Sequence, residues 1–256
     1  MSTILGQHFL VNRNVAKKMA AELGPMAGPV LEIGPGRGAL TEWLLADPAV
    51  TELAVVEYDA GLAADLQTRF GPRLRVMVDD IRRSDPELIF SQRPFHLAGN
   101  VPYYLSKELI DWVLLRCQRL ISGLLMFQKD FVDKLLAEEG GKSYGAQSVL
   151  FQLHFHTRRC FVVQPGSFSP APKVISAVIR FGPRTDRPPE SGGAFHQFVR
   201  AAFARRRKTL ANNLPSQFDR RRLELLLANL GLPAATRPEQ VSPETFRRLY
   251  NGLTRS

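Results

Sequence analysis

Up to about residue 180, short apolar runs alternate with stretches of helical spacing, and few folds accept that rhythm. "PVLEIG" (Pro29 to Gly34) reads as a buried strand and "GALTEWLLAD" (Gly38 to Asp47) as a helix. "ELAVVEYD" follows as strand, "AGLAADLQTRF" as helix, and "LRVMVDD" and "FHLAGN" as two further strands. The pattern predicts a parallel sheet wrapped by helices, an α/β fold. Further on, "KELIDWVLLRCQRL" and "KDFVDKLLAEEG" read as helices around a strand through "GLLMFQ". "SVLFQLHFHTRRCFVV" and "VISAVIRFGP" read as strands that pair antiparallel at the far edge. "GPRTDRPPESGG" (Gly182 to Gly193), rich in Pro, Gly and charge, reads as a linker. Beyond it "AFHQFVRAAFARRRKTLANNL", "RRRLELLLANLG" and "SPETFRRLYNGL" read as helices, the last opening on Ser242 as N-cap with Glu244 in its first turn. The domain division expected is 1–183 and 184–256.

Charge separates the two parts. The chain carries a net +10 over 256 residues, and from Arg184 to Ser256 fourteen Lys and Arg face six Asp and Glu. So charged a tail suggests a polyanion held through phosphate contacts; the alternative is a solvated helical surface. Two cysteines, Cys117 and Cys160, make neither a disulfide framework nor a ligand cluster, so no metal is expected and a reducing cytoplasm fits. The start, "MSTILGQHFLVNRNVAKK", has no long apolar core behind its basic residues, and no segment reaches bilayer length, so no membrane partner is expected.

The chemistry begins at "EIGPGRG" (Glu32 to Gly38). Glycines between a strand and a helix let the backbone turn tightly and let a ligand lie against it. Glu57 follows Gly36 by 21 positions at the end of the next strand, where a carboxylate can accept both ribose hydroxyls. The loop is not GxGxxG, so a short adenosyl ligand is favoured over a dinucleotide with its pyrophosphate. The alternative is a plain strand-helix turn. Asp80, ending the third strand in "VDDIR", suits an adenine amino group or the N-cap of a following helix, and Asp79 beside it suits either purpose.

"GNVPYYLS" (Gly99 to Ser106) follows the fourth strand and so falls at the edge where open α/β sheets bind ligands. A Pro turn with two half-buried tyrosines is the plain reading. The chemical one begins from a weakness of exocyclic amines, whose lone pair is shared with the ring. The Asn100 side-chain oxygen and the Val101 carbonyl can accept the two N–H bonds of such an amine and localise its lone pair toward a reactive methyl. Pro102 fixes the backbone, and Tyr103 offers a face on which an unpaired base can stack.

"GQHFL", "EIGPGRGALT", "VVEYD", "VDD", "GNVPYYLS", "FSPAPKVISAV" and "AFARRRKTLANNL" occur in the order and approximate spacing of the ribosomal RNA adenine dimethyltransferase family. The resemblance covers nearly the whole chain. It implies a Rossmann-like class I methyltransferase sheet with a small C-terminal α-helical domain. It also implies an S-adenosyl-L-methionine-dependent enzyme that dimethylates two adjacent adenosines near the 3′ end of small-subunit ribosomal RNA. The expected partner is a pre-30S assembly intermediate, and the expected state a cytoplasmic monomer. By motif, His8 and Leu10 close over the cofactor, Gly34 lies beneath it, Glu57 holds its ribose, Asp80 contacts its adenine, and Asn100 begins the catalytic motif. Phe168 in "SFSPAPKV" is the aromatic that the resemblance sets opposite Tyr103 around the target base; a core ring is its other reading. Arg205, Arg206, Arg207 and Lys208 match a basic RNA-contacting helix. Many relatives have Leu at Val101 and Asn at His8, and the arm before Gly6 is short.

Related readings share these motifs. Macrolide-resistance methyltransferases modify a large-subunit adenosine, but "AFARRRKTLANNL" resembles the small-subunit branch. A mitochondrial transcription-factor relative lacks support from any Arg-rich, Ser-rich transit peptide. A non-catalytic assembly factor is opposed by intact Glu57, Asp80 and Asn100, and a dinucleotide oxidoreductase by "NVPY" and the missing third glycine spacing.

Overall fold

The computed structural model describes residues 7–24, 27–116, 118–186 and 193–254, apart from the side chain of Glu87. The arm before Gly6, Cys117 and residues 187–192 of the expected linker lie outside the described residues. The described residues form nine strands: β1 (Phe9–Leu10), β2 (Gly28–Ile33), β3 (Val50–Glu57), β4 (Arg75–Val78), β5 (Phe95–Asn100), β6 (Leu120–Gln128), β7 (Phe155–Val163), β8 (Phe168–Ser169) and β9 (Ser176–Pro183). Residues 29–33 of β2 and 95–99 of β5 are buried without a break, which a strand tolerates only when both faces of its sheet are covered. These strands carry Val, Leu, Ile and Ala rather than an alternation of apolar and polar residues.

The main sheet has the order β4-β3-β2-β5-β6-β9-β7. From β4 to β6 all neighbours are parallel, and β9 runs antiparallel to β6. Chain order runs outward from β2 through β3 to β4, then resumes on the other side of β2 with β5. Ligand clefts of open parallel sheets form where the winding reverses in this way. Register brings the carboxyl ends level: Ile33 lies opposite Val56 and Gly99, and Glu57 opposite Val78. The α/β fold expected of the sequence is the one observed. A second sheet of two strands pairs β1 antiparallel with β8, setting Phe9 opposite Ser169 and Leu10 opposite Phe168.

Contacts divide the chain into two compact units, Met1–Val132 with His156–Pro183, and Asp133–Phe155 with Arg184–Ser256. The single break expected after residue 183 is corrected here, because residues 133–155 belong with the carboxyl-terminal helices. The Tyr144 hydroxyl donates to the Val241 carbonyl at 2.9 Å, the Gly140 N–H donates to Glu239 at 2.7 Å, and the Tyr144 ring meets Phe203 edge-on. "SVLFQLH" is also corrected, since Ala146–His154 is a helix and only Phe155–Val163 is strand. Its consecutive apolar residues carry neither period. The Ser148 hydroxyl accepts the Gly145 N–H at 3.1 Å and donates to the Lys134 carbonyl at 2.6 Å, which starts the helix and satisfies the end of the preceding one.

In the second unit Phe198 stacks edge-on against Phe218 and Phe246 around a small aromatic core. The Ser242 Oγ accepts the Thr245 N–H at 3.1 Å, the N-cap read from the sequence. Among the described residues, no helix is long and apolar enough to cross a membrane.

Candidate active site

Four strand ends open into one cavity of about 230 Å³. Its wall includes Gly34, Glu57, Asp80, Asn100, Val101, Pro102 and Tyr103, together with Leu10 of β1 and His8 just before it. Every cofactor-facing residue read from the sequence therefore lines a single space.

Gly34 adopts φ +60°, and its N–H donates to the Val56 carbonyl at 3.0 Å, which holds the loop against the neighbouring strand. A residue with a Cβ would be strained there whatever the room around it. Two turns of backbone then meet the Glu57 carboxylate, with the Gly36 N–H donating at 3.1 Å and the Asp59 N–H at 3.0 Å. Burial pushes the Glu57 carboxyl up, and these amides oppose the shift by favouring its charge. Only 5% exposed, it has no basic ion-pair partner among the described residues.

Glu32 was part of the quoted "EIGPGRG" yet received no role. It lines the same cavity, is 1% exposed, and accepts the Thr41 hydroxyl at 2.7 Å. Burial raises its carboxyl to about 8, against that hydroxyl bond and with a further push from the charge of Glu57. The available signal was a lone Glu in a strand otherwise built of apolar residues. Arg37 and Arg82 also line the cavity, but neither Glu32 nor Glu57 has a basic ion-pair partner among the described residues, and two such buried carboxyls favour a ligand that brings positive charge. A nucleoside bearing a sulfonium and an ammonium meets that demand, so these residues fit S-adenosylmethionine.

Asp79 and Asp80 separate clearly. The Asp79 carboxylate accepts the Asp80 N–H and the Ser84 hydroxyl, both at 2.7 Å, and so is tied to its own loop. Asp80 accepts the Arg82 N–H at 3.0 Å and the Arg82 side-chain Nε at 2.9 Å, and this guanidinium holds its carboxyl below the usual range. No helix follows directly, so the cap reading becomes a local turn that leaves Asp80 on the cavity wall.

At the end of β5 the Val101 N–H donates to the Met126 carbonyl of β6 at 3.1 Å. Val101 lines the cavity with an apolar side chain, so the only polar groups it can offer there are those of its backbone. The Asn100 side-chain N–H donates to the His8 carbonyl at 3.3 Å, leaving Oδ1 as an acceptor on the cavity side. Pro102 holds φ −54° and ψ 131° ahead of the turn that carries Tyr103. The Tyr103 hydroxyl is bonded to Ser176 Oγ at 2.7 Å, which fixes the ring, and burial raises it against that bond. Tyr104, 57% exposed, also lines the cavity and had no role in the sequence reading.

Two expectations require correction. Phe168 does not line the cavity; it is 4% exposed in a core cluster with Leu10 and Val163, because β8 pairs edge to edge with β1. The base sandwich with Tyr103 is thus not assembled in this structure. Arg205 to Lys208 do not form a helix but a turn between helices Ala194–Ala202 and Leu210–Asn213. The Arg206 guanidinium donates to the carbonyls of Lys142 and Tyr144 at 2.8 and 3.1 Å, and that of Arg205 to Asn212, so two of the four cations hold backbone.

The whole chain matches known proteins. The family model for ribosomal RNA adenine dimethylase matches residues 1–255. The ribosomal RNA small subunit methyltransferase A of Syntrophotalea carbinolica is 41% identical over 254 residues, covering 95% of this chain and 93% of that protein. Its counterpart in Cupriavidus pinatubonensis is 37% identical over 95% of this chain and 91% of its own length. The solved structure of a dimethyladenosine transferase from Plasmodium falciparum superposes with a TM-score of 0.79 at 23% identity, covering 96% of this chain and 99% of that one. The 23S rRNA methyltransferase ErmE does so at 0.72 and 24%, covering 96% and 100%. These two superpositions establish the fold, and the sequence matches go further: with its glycine cradle, paired carboxyls and Asn-Val-Pro-Tyr turn in one cavity, the chain belongs to the ribosomal RNA adenine dimethylase family and is an S-adenosylmethionine-dependent rRNA adenine dimethyltransferase.

Proposed function

We propose that this methyltransferase places two methyl groups on each of two adjacent adenosines near the 3′ end of small-subunit ribosomal RNA, within a pre-30S assembly intermediate, as a cytoplasmic monomer. The observation that carries the chemistry is the meeting of Asn100, Val101 and Tyr103 with Glu57 and Asp80 around one cavity. The choice of small subunit rests on relatives at 41% and 37% identity that bear its name.

When bound, S-adenosylmethionine supplies a methyl on a positively charged sulfur. Glu57 and Asp80 would hold its ribose and adenine, and Gly34 would let it lie against the loop. Glu32 would add negative charge to the cavity once it ionises. Asn100 Oδ1 and the Val101 carbonyl accept the two N–H bonds of the adenosine amine, which turns its lone pair out of the ring system and toward the methyl. These groups are fixed before the substrate arrives, so little reorganisation opposes the step. The amine becomes acidic on alkylation and water takes the proton, so no strong base is required. The Tyr103 ring, anchored by Ser176, stacks on a base taken out of its helix.

Transfer of labelled methyl to unmethylated small subunits, large subunits and naked RNAs, with nucleoside analysis, tests this. Dimethyladenosine confined to small subunits is the expected result. Label in large-subunit RNA moves the reading to the resistance branch, and binding without label leaves an assembly factor. Asn100→Ala is expected to keep cofactor affinity while slowing transfer by roughly a hundredfold.

A further inference from the structure

The catalytic Asn100 does not hold its own orientation. Its side-chain amide could present either end to the cavity. What decides is the 3.3 Å bond from Nδ2 to the His8 main-chain carbonyl. That carbonyl lies on the segment Gln7–Leu10, whose far end is anchored by two register pairs with β8, by the buried Leu10, and by the Val11 and Asn12 N–H groups donating to the Ser167 carbonyl at 2.9 and 3.2 Å; at His8 itself, the side-chain Nδ1 donates to the Pro170 carbonyl at 2.7 Å. The His8 ring also lies 5.6 Å from the Tyr103 ring, tilted by 36°. Phe9, the next residue, sits beneath the Arg37 guanidinium at 4.6 Å.

From this geometry we infer that His8 is a positioning residue for methyl transfer: its ring ties the amino-terminal strap to Pro170, so that the strap's carbonyl holds Asn100 Nδ2 and aims Oδ1 at the substrate amine. The proposal rests on the amine-accepting role of Asn100 given above. The pairing with β8 sets the register from Phe9 onward, whereas His8 lies beyond the last paired residue, so its side-chain bond is what fixes the place of its own carbonyl. Loss of the tie frees the Asn100 amide to rotate and present Nδ2, a donor, where an acceptor is needed. Displacement of a catalytic group by about 1 Å can cost a hundredfold in rate. The N–H at Nδ1 is present in the protonated ring and in one neutral tautomer, so the tie itself needs no change of charge.

The test is single-turnover methyl transfer to unmethylated small subunits at saturating cofactor, with His8→Ala, His8→Phe, His8→Asn, Asn100→Ala and the His8→Ala/Asn100→Ala pair. His8→Phe keeps a ring beside Tyr103 but cannot donate; it and His8→Ala are expected to slow transfer about tenfold. His8→Asn, which can donate from its own amide, is expected to recover most of the rate. The double variant is expected to be no slower than Asn100→Ala, because two groups acting as one unit are not additive. Thermal melting of each variant separates loss of fold, and should His8→Ala melt early, His8→Phe and His8→Asn carry the comparison. A full additive loss in the double variant overturns the positioning role, as does a weaker cofactor Kd with an unchanged rate at saturation. Near-normal transfer by Asn100→Ala instead sinks the amine-accepting role itself, a separate failure.

Discussion

Glu32 illustrates how one buried carboxyl can govern the ligand-free protein. Burial raises it to about 8 in the folded chain, from 4.5 when free. Between those values the folded protein holds a proton that the unfolded chain has released. Its stabilising effect is therefore complete below about 4.5 and is lost as pH rises through about 8. Glu32→Gln keeps the Thr41 hydroxyl bonded and has no proton to lose. Denaturant unfolding of ligand-free protein from pH 5 to 9 is expected to show the parent losing stability relative to the variant as pH rises, and parallel curves would refute a raised Glu32. Phe168 poses a different question at the same level of detail. Its ring fills the core beside Leu10, so Phe168→Ala is expected to cost about 3 kcal/mol of stability. Phe168→Leu keeps most of the volume, and with the ring buried as it is here, RNA KM should stay near the parent value. A large rise in KM without a change in melting would restore the stacking role.

The loop from Gly34 to Gly38 and the turn from Asn100 to Tyr103 were legible because each has a local cause. Glycines between a strand and a helix, and a Pro after a strand end, announce special backbone without any knowledge of distant contacts. Gly38 shows how strict that cause is. It sits at φ +77°, and a Cβ on it would meet Leu66 and Phe70 at 2.9 Å. Gly38→Ala is expected to lower Tm and weaken cofactor binding together, since the same loop presents the Gly36 N–H to Glu57; a variant with parental Tm and Kd would show that the loop can relax. What the sequence did not reveal depends on long-range pairing. The helix at 146–154 follows an apolar run that fits either period, and its choice is made by Ser148 reaching the Lys134 carbonyl. The burial of Phe168 follows from β8 pairing with a strap 158 positions earlier in the chain, from Phe168 back to Leu10. The break in "AFARRRKTLANNL" follows from Arg206 finding carbonyls at 142 and 144. None of these partners is near in sequence.

Across the molecule, chemistry and charge are divided between the two units. All cavity residues belong to the first unit, and Arg205 to Lys208 to the second. Binding to RNA through phosphates releases counterions, so affinity falls with salt in proportion to the contacts made, at a slope of roughly 0.7 to 0.9 per phosphate. All four cations are exposed; Arg206 and Arg205 are bonded to carbonyls within their own unit, whereas the side chains of Arg207 and Lys208 have no bonded partner among the described residues, which leaves their charge for phosphate. Reversing Arg207 and Lys208 to Glu is expected to weaken binding to small-subunit RNA and to reduce the salt slope by about two, with cofactor Kd and melting unchanged. Arg206→Glu should behave otherwise: it leaves the carbonyls of Lys142 and Tyr144 without their donor and sets a carboxylate against them, so melting falls before affinity can be read. Filter binding from about 50 to 200 mM salt, beside thermal melts, separates the two variants. An unchanged slope in the Arg207 and Lys208 variant would return that turn to a solvated surface and require the phosphate contacts to come from other cations.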